Sequence, residues 1–546
     1  MQKVLTAAQI REVDRLTTER YGIQSIILME NAAHAVVRAI TQRLDGSVRG
    51  KRILILCGKG NNGGDGFAVA RILWNAGATI TVLLMFPDNE IGGDAKQNLN
   101  ILRGLQSVQG SDTEPAICLA EVGTHHIFFD RLDTFFGPEV IVDAIFGTGL
   151  VRPLDGDLSI LAKQYNSTVS DKERPLFLSI DIPSGLNSDG AEPIGEHFRA
   201  DITVGFTAAK PANILPPASR SNGELIISNI GSPRALIDEQ PSQLYVAERS
   251  DAVEWLGKTA FSEGDFKNKR GHSLIVAGSA SYSGAAVLAG NAAMRSGVGL
   301  VTVATPRSSA DSVASHLLPE VMVRAVAETE NGAIAEMALD EMGGLLEKSD
   351  SLAIGCGLSQ DESTKRFVER VLSECGKPVV VDADALNLLS PFSAIRPRND
   401  TGGSDLILTP HEGEFLRLLG TEDKDPIKDR VAVVRNFAVE FGVILVLKGE
   451  RVLIGSPDGR VVVNPTGNSG LGKAGNGDTL AGILAGFTAQ GAKMGIDTFE
   501  TVVVAVFIAG MAGDIAEMRF GKRVMTASDV RECLTEVFNE LRTEKK

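Results

Sequence analysis

At 546 residues, 43% of them hydrophobic and 23% charged, the chain is too long for one core and too apolar for global disorder; about 100–200 residues per domain predicts at least two sizeable units. A formal net charge of −15 without clustered Lys and Arg argues against a nucleic-acid partner or an acidic membrane surface, so an anionic ligand has to be met by local backbone amides. Cys57, Cys118, Cys356, Cys375 and Cys533 include no C-x-x-C pair, which argues against a disulfide framework or a zinc site and for a reducing cytoplasm.

The opening "MQKVLTAAQIREVDRL" has charges interrupting its apolar runs and lacks the h-region of a signal peptide. Residues 7–20 and 25–44 predict amphipathic helices, with Ile10, Val13 and Leu16 at helical spacing. Short Val, Ile and Leu runs follow at "RILILC", "TITVLLM", "EVIVDAIF", "PLFLSID", "ITVGF" and "ELIIS", most of them separated by helix-length segments. Apolar strands alternating with helices predict a mainly parallel sheet covered on both faces, a Rossmann-like three-layer α/β sandwich. The stretch "SPRALIDEQPSQ" loses periodicity and carries two prolines, which places a linker at 232–243 between domains spanning 1–231 and 244–546. A second alternating series runs through "SLIVAG", "LVTVAT", "SLAIG", "PVVVDAD", "DLILTP" and "VILVLKG". The apolar "TVVVAVFIAGMAG" is too short to cross a bilayer and reads as a buried helix, so no membrane association is expected.

In open parallel sheets ligands gather at the carboxyl ends of strands. In the first half four such ends carry chemistry: "GNNGGDG", "DAIFGTGLVRP", "DIPSGLNSDG" and "FTAAKP". The letters GKGNNG satisfy the dinucleotide pattern G-x-G-x-x-G, which makes a dehydrogenase the first reading. A dehydrogenase also needs an acid about 20 residues past the glycines, at the end of the next strand. Asp88 lies late and behind a proline, and the Asn-Asn pair followed by Asp65 is not required by dinucleotide binding. Tight turns account for the glycines equally well. Asp143, Asp181 and Asn62, however, converge on one rim if their strands are neighbours, an arrangement suited to a cation or to acid/base chemistry.

"GKGNNGGDGF", "VDAIFGTGL", "DIPSGLNSDG" and "LMENAA" resemble the NAD(P)H-hydrate epimerase domain, the YjeF N-terminal family, over about the first 230 residues. The resemblance implies a site for hydrated NAD(P)H lined by Asn61, Asn62, Gly63, Gly64 and Asp65 on one side. It places Gly147, Thr148, Gly149, Leu150, Val151, Arg152 and Pro153 on another, and Asp181 at the reacting end. It also implies a potassium ion held by Asn62, Asp143 and Ser184, oxygen ligands that suit a hard cation. Lys210 is a possible electrostatic helper by its place after a strand. A turn former at Asn62 and a helix cap at Asp181 are the bland alternatives.

The second half carries "NPTGNSGLGKAGNGDTLAGILAGF", a glycine-rich turn running into a helix with Asp478 near its first turn. Amides and the positive helix end then face the same point as one carboxylate, an anion hole with a base, and the stretch resembles ribokinase-like kinases. No G-x-x-x-x-G-K-[ST] is present, which argues against a P-loop. With "DADALN", "TPHEGEF" and "IGCGLS" it resembles the ADP/ATP-dependent NAD(P)H-hydrate dehydratase, the YjeF C-terminal family, over most of 244–546. That resemblance places hydrated NAD(P)H near Ala285, Gly357, His411 and Asp478. It sets the adenine nucleotide along Lys448, Gly449, Glu450, Arg451 and Val452 and against Gly477. The family usually has a small hydroxyl residue at Val452, Thr or Ser at Asn476, and "GMATGGTGD" where "GLGKAGNGD" brings Lys473, departures that bear on nucleotide choice. Asp384 and Asn387 read equally as helix caps, and "VLKGERVLIG" as a hairpin.

Together the halves imply a fused repair enzyme that interconverts the R and S epimers and dehydrates the S epimer with ADP or ATP. Magnesium is implied as the nucleotide's companion, with no dedicated cage legible. A homo-oligomer is expected. The alternatives are a ribokinase-like small-molecule kinase with an accessory domain and a first half that only binds.

Overall fold

The computed structural model describes residues 1–108, 116–121, 137–167, 174–393 and 406–542. Contacts divide the chain into an N-terminal unit, Lys3–Ser242, and a C-terminal unit, Gln243–Lys546 with Met1–Gln2.

In the N-terminal unit Thr6 starts the helix Ala7–Tyr21 with a reciprocal cap, its hydroxyl accepting from the Gln9 N–H and Gln9 Oε1 accepting from the Thr6 N–H. The helix ends at Gly22, whose φ of 71° is the left-handed conformation glycine adopts most easily. Apart from the short β1 (Gln2–Lys3), which is not in this unit's sheet, the strands here are β2 (Arg52–Cys57), β3 (Thr79–Leu84), β4 (Ile117–Glu121), β5 (Val140–Ala144), β6 (Leu176–Ile180), β7 (Ile202–Phe206) and β8 (Glu224–Ser228). β2 to β8 form a parallel seven-stranded sheet in the order β4-β3-β2-β5-β6-β7-β8. The chain moves outward from β2 to β4 and returns to β5, so the order reverses between β2 and β5, where such sheets open a crevice. Both faces are covered. Ile53 and Ile55 join one apolar cluster while Leu54 and Leu56 join another, the period-2 alternation of a strand buried on both sides.

The linker expected at 232–243 is corrected. Pro233 precedes a short helix, Arg234–Asp238, whose Leu236 and Ile237 are buried against Leu5, Ile10, Val13 and Leu16. Lys3 donates to the carbonyls of Asp238 and Gln240, and Ser242 to that of Val4, so the stretch belongs to the N-terminal unit. A helix of five residues shows no periodicity, and its partner lies more than 200 residues away in sequence.

The C-terminal unit adds β9 (Leu244–Val246), β10 (His272–Val276), β11 (Leu300–Pro306), β12 (Met322–Val326), β13 (Ser351–Ile354), β14 (Val379–Val381), β15 (Leu406–Leu408), β16 (Ile444–Leu447), β17 (Leu453–Gly455) and β18 (Val461–Val463). The sheet order is β1-β9-β18-β17-β16-β15-β14-β13-β10-β11-β12. Strands from β12 to β16 pair in parallel, whereas β16-β17 and β17-β18 are antiparallel, so "VLKGERVLIG" is a hairpin within the sheet. The order reverses between β10 and β13. Helix Asn476–Met494 packs backbone to backbone on Ser283–Arg295: a Cβ at Gly482 would lie 2.1 Å from the Ala289 carbonyl oxygen, so the contact requires glycine. Helix Thr498–Phe520, long and apolar enough by length and composition to cross a membrane, is mostly buried inside this unit as a core helix.

Candidate functional site

In the N-terminal unit β2 runs through Gly58–Gly60 into helix Asn61–Asn75, whose first turn holds Asn61, Asn62, Gly63 and Gly64. No side chain caps this helix start, and only the Gly64 N–H is taken, by the Gly60 carbonyl, so the amides before it are available to a ligand. A Cβ at Gly63 would sit 1.9 Å from the Gly58 carbonyl oxygen; only glycine permits this turn. Asn61 is exposed, while Asn62 and Asp65 are buried. From the neighbouring β5 end, the turn after Ala144 brings Gly147 over both Asn62 and Asp181. An ideal Cβ on Gly147 would lie 3.2 Å from Asn62 Oδ1 and 3.1 Å from Asp181 Oδ2. The Thr148 N–H donates to Asp181 Oδ2 at 3.3 Å. Gly149, Val151, Arg152 and Pro153 continue along the surface, and Leu150 turns into the core.

Asp181 directly follows β6 with a φ of 68°, a strained conformation for a residue with a side chain. The fully buried Lys210, reaching from beyond β7, donates to Asp181 Oδ1 at 2.5 Å and to the Phe206 carbonyl at 3.0 Å. Asp143 lies beneath, fully buried. It accepts from the Ile145 N–H, the Ser179 hydroxyl, and both the N–H and hydroxyl of Ser184. Burial pushes its pKa up and these hydrogen bonds oppose the shift. Burial likewise holds Asp65 well above the carboxylate range, helped by the charges of Asp181 and Asp14. Asp88 takes no part: in the turn Asp88–Glu90 it is tied to Lys96 and Arg103, whose hydrogen bonds lower its pKa. Asp14, on the first helix, is a partly buried acid with one buried carboxylate oxygen that no motif singles out, because in sequence it reads as one more polar position beside Val13.

In the C-terminal unit Gly475, at a φ of 86°, precedes helix Asn476–Met494 and sets Asp478 in its first turn. Burial, then the charge of Asp382, raises Asp478 to about 6, while a hydrogen bond from the Cys356 thiol and the charge of Lys448 pull it down. Lys448 Nζ donates to Asp382 Oδ1 at 2.8 Å and lies 3.8 Å from Glu414; Thr409 also donates to Asp382 Oδ1 at 2.8 Å. Burial works to lower Lys448, but the two carboxylates outweigh it and hold it above the usual lysine range. A Cβ at Gly477 would lie 3.5 Å from Asp382 Oδ2 and 3.7 Å from Lys448 Nζ, so Gly477, Asp478, Asp382, Cys356 and Lys448 converge.

The remaining residues fall around this centre in different ways. Gly357, at a φ of 65°, packs against Ala285 and Tyr282, joining the two strand ends that flank the β10-β13 reversal. His411 caps helix Glu412–Leu418: its Nδ1 accepts from the N–H groups of Gly413 and Glu414, so its Nε2 carries the proton. Its ring is 57% exposed. Asp384 accepts from the Ser359 N–H, and Asn387 from Arg417. Gly449 passes beside Arg430, Arg451 donates to the Pro465 carbonyl, and Val452 packs on the core rather than presenting a polar atom. Lys473 donates to the carbonyls of Arg523 and Met525, pinning the glycine-rich turn to the loop after helix Thr498–Phe520. Among the described residues no three His, Cys, Asp or Glu side chains form a metal cage. Asp382, Cys356 and Glu414 were missed by sequence reasoning although "DADALN", "IGCGLS" and "TPHEGEF" contain them, since nothing in those letters says which side chain meets Lys448.

Comparison with known proteins yields matches to both units. Residues 25–212 match the family of YjeF-related protein N-termini, and residues 273–536 the NAD(P)H-hydrate dehydratase family. The bifunctional NAD(P)H-hydrate repair enzyme Nnr of Moorella thermoacetica is 37% identical over 546 residues, covering 99% of this chain and 97% of that protein. Its namesake from Thermofilum pendens is 34% identical over 543 residues, covering 99% and 97%. Among solved structures, the ADP/ATP-dependent NAD(P)H-hydrate dehydratase from Bacillus subtilis, co-crystallized with ATP and Mg2+, is 29% identical. The match covers 54% of this chain and 98% of that one, with a TM-score of 0.46.

Proposed function

The chain belongs to the bifunctional NAD(P)H-hydrate repair enzymes, and we propose that its N-terminal unit exchanges the R and S epimers at Asp181 while its C-terminal unit dehydrates the S epimer at Asp478. The observation that carries this division is a shared construction. Each unit sets a carboxylate against a lysine at the carboxyl ends of its parallel strands, Asp181 with the fully buried Lys210 in one and Asp382 with the partly buried Lys448 beside Asp478 in the other.

In the N-terminal unit the hydroxyl on the ring carbon next to nitrogen departs with help from the nitrogen lone pair and returns on the other face. Asp181, oriented by Lys210 and the Thr148 N–H, handles the proton, and the first-turn amides at Asn61–Gly63 with the Gly147–Pro153 turn hold the dinucleotide. Asn62, Asp143 and Ser184 fit a potassium ion: all offer oxygen, and the buried carboxyl of Asp143 meets four neutral donors and, among the described residues, no cation. Such an ion supplies positive charge near the leaving hydroxyl. Asp143→Ala is expected to slow epimer exchange and remove its potassium dependence, together with any rise in melting temperature that potassium but not sodium produces. Exchange rates that are unchanged at every potassium concentration refute the assignment.

In the C-terminal unit hydroxide is a poor leaving group, so phosphorylation precedes elimination. Asp478 takes the hydroxyl proton, the amides of the 470–478 turn and the helix end stabilise the transferring group, and Lys448 with Gly477 borders the nucleotide. Magnesium, when bound, neutralises phosphate charge, and the nucleotide's own oxygens supply much of its shell. Ala285, Gly357 and the exposed ring of His411 border the hydrated nicotinamide. The test is return of reduced-nicotinamide absorbance from hydrated NADH with ADP or ATP supplied separately. ADP is expected to be the productive donor, and turnover with purified ATP but none with ADP reverses that choice. Five free thiols, four of them buried, favour a reducing compartment, the cytoplasm.

A further inference from the structure

Besides Asp181 the N-terminal unit holds a second acid that the reaction above leaves unused. Its placement follows from how the N-terminal segment is stitched to the end of β7. Val4 bridges to Ala209, the Leu5 N–H donates to the Ala209 carbonyl at 2.9 Å, and the Ala7 N–H donates to Asp189 Oδ1 at 2.7 Å. Helix Ala7–Tyr21 then buries Val13 and Thr17, carrying Asp14 between them toward Lys210. Asp14 Oδ1 is buried with no hydrogen-bond partner. Two more buried groups of this strand edge are also unpartnered: Asn62 Nδ2 and the hydroxyl of Thr207, a residue held at a φ of 67°. Unpartnered buried polar atoms from three elements, around an ion pair, are what a site built for a polar ligand presents.

We infer that Asp14 is a second acid of the epimerase reaction, delivering the proton on which the hydroxyl leaves; this rests on the N-terminal unit being the epimerase. The carboxyl proton of Asp14 passes to the hydroxyl oxygen as the carbon–oxygen bond breaks, giving water, an Asp14 carboxylate and a ring cation shared with the nitrogen. Water then bonds to the ring carbon from the other face and its proton returns to a carboxylate of the Asp14 and Asp181 pair, so nothing is consumed. The groups facing Asp14 divide the labour. Burial raises Asp14 to about 6, with Lys210 opposing and Asp181 adding to the shift, and Asp65 lies close enough to feel its charge. Asp14 thus stays partly protonated at a pH where an ordinary carboxyl is ionised, while Asp181 holds the lysine.

The experiment follows epimer exchange chromatographically in full-length protein from pH 5 to 9, corrected for the spontaneous rate, in Asp14→Asn and Asp181→Asn. For the wild type the exchange rate falls as pH rises through about 6, the protonated form being required. Asp14→Asn is expected to lose about 10²-fold and to flatten that limb. A folded-state pKa above the unfolded one favours the wild type at low pH and loses that contribution as pH rises, so the melting temperature of Asp14→Asn relative to wild type should be higher at pH 8 than at pH 4. Wild-type exchange in Asp14→Asn overturns the inference, and so does a slowed rate that keeps the wild-type pH limb, since that marks a merely structural residue. If Asp14→Asn does not fold, Asp14→Glu is read instead, and a limb at the wild-type pH overturns the inference. Exchange that survives in Asp181→Asn indicts the reading of the whole site, not Asp14 alone.

Discussion

Asp478→Asn lowers nucleotide-dependent dehydration by about 10²–10⁴-fold, the usual worth of a positioned proton acceptor, and leaves epimer exchange at its wild-type rate. The substitution keeps the shape of the side chain and its place in the first turn of helix Asn476–Met494, yet an amide cannot take the hydroxyl proton. Because burial and the charge of Asp382 raise Asp478 to about 6, wild-type dehydration climbs with pH through about 6 and levels off above it. The residual rate of the variant shows no such step. Stability separates this loss from misfolding. A carboxyl whose folded pKa is raised stabilises most below its unfolded pKa and loses that contribution as pH rises through the folded value. At pH 8 the Asn variant therefore melts no lower than the wild type. Absorbance return from the pure S epimer measures the first reaction and chromatography the second. Wild-type dehydration, or loss of epimer exchange in a folded Asp478→Asn protein, contradicts the division of chemistry between the units.

What the amino-acid sequence makes legible here is the set of strand ends. "RILILC", "EVIVDAIF" and "PLFLSID" show their strands by continuous branched apolar residues, because both faces of a parallel sheet are buried and the pattern stays local. Glycines at 63 and 482 are local too, each marking one close backbone approach. Partners across the fold are not local. Nothing near Lys448 says that its ammonium meets Asp382, 66 positions away, or near Lys210 that it meets Asp181. Lys473 reads as a cation inside an anion-binding turn, but its stem lets the ammonium turn back to the carbonyls of Arg523 and Met525. The helix Arg234–Asp238 reads as a linker because its burial is supplied by the far N-terminal helix. Residues whose role depends on a contact distant in sequence are the ones hidden in it.

Asp181→Asn brings epimer exchange down to the spontaneous rate while pure S epimer is still dehydrated normally, so an epimer mixture is repaired fast for its S fraction and slowly for the rest. Loss of Asp181 has a structural consequence that loss of Asp478 lacks. Lys210 is fully buried, and its partners are Asp181 and the Phe206 carbonyl. Removing the carboxylate leaves a buried ammonium beside a neutral amide, a loss of about 3–5 kcal/mol for a broken buried pair. The single variant thus confounds chemistry with stability of the N-terminal unit. Replacing both partners, Asp181→Asn with Lys210→Met, removes the orphaned charge and restores most of the lost stability, since an apolar side chain of similar length fills the same fully buried position. Thermal melting reports that recovery. If exchange stays at the spontaneous rate in the stable double variant, Asp181 acts on the substrate. If exchange returns with stability, the pair only holds the end of β6 in place and the proton work belongs elsewhere in the site.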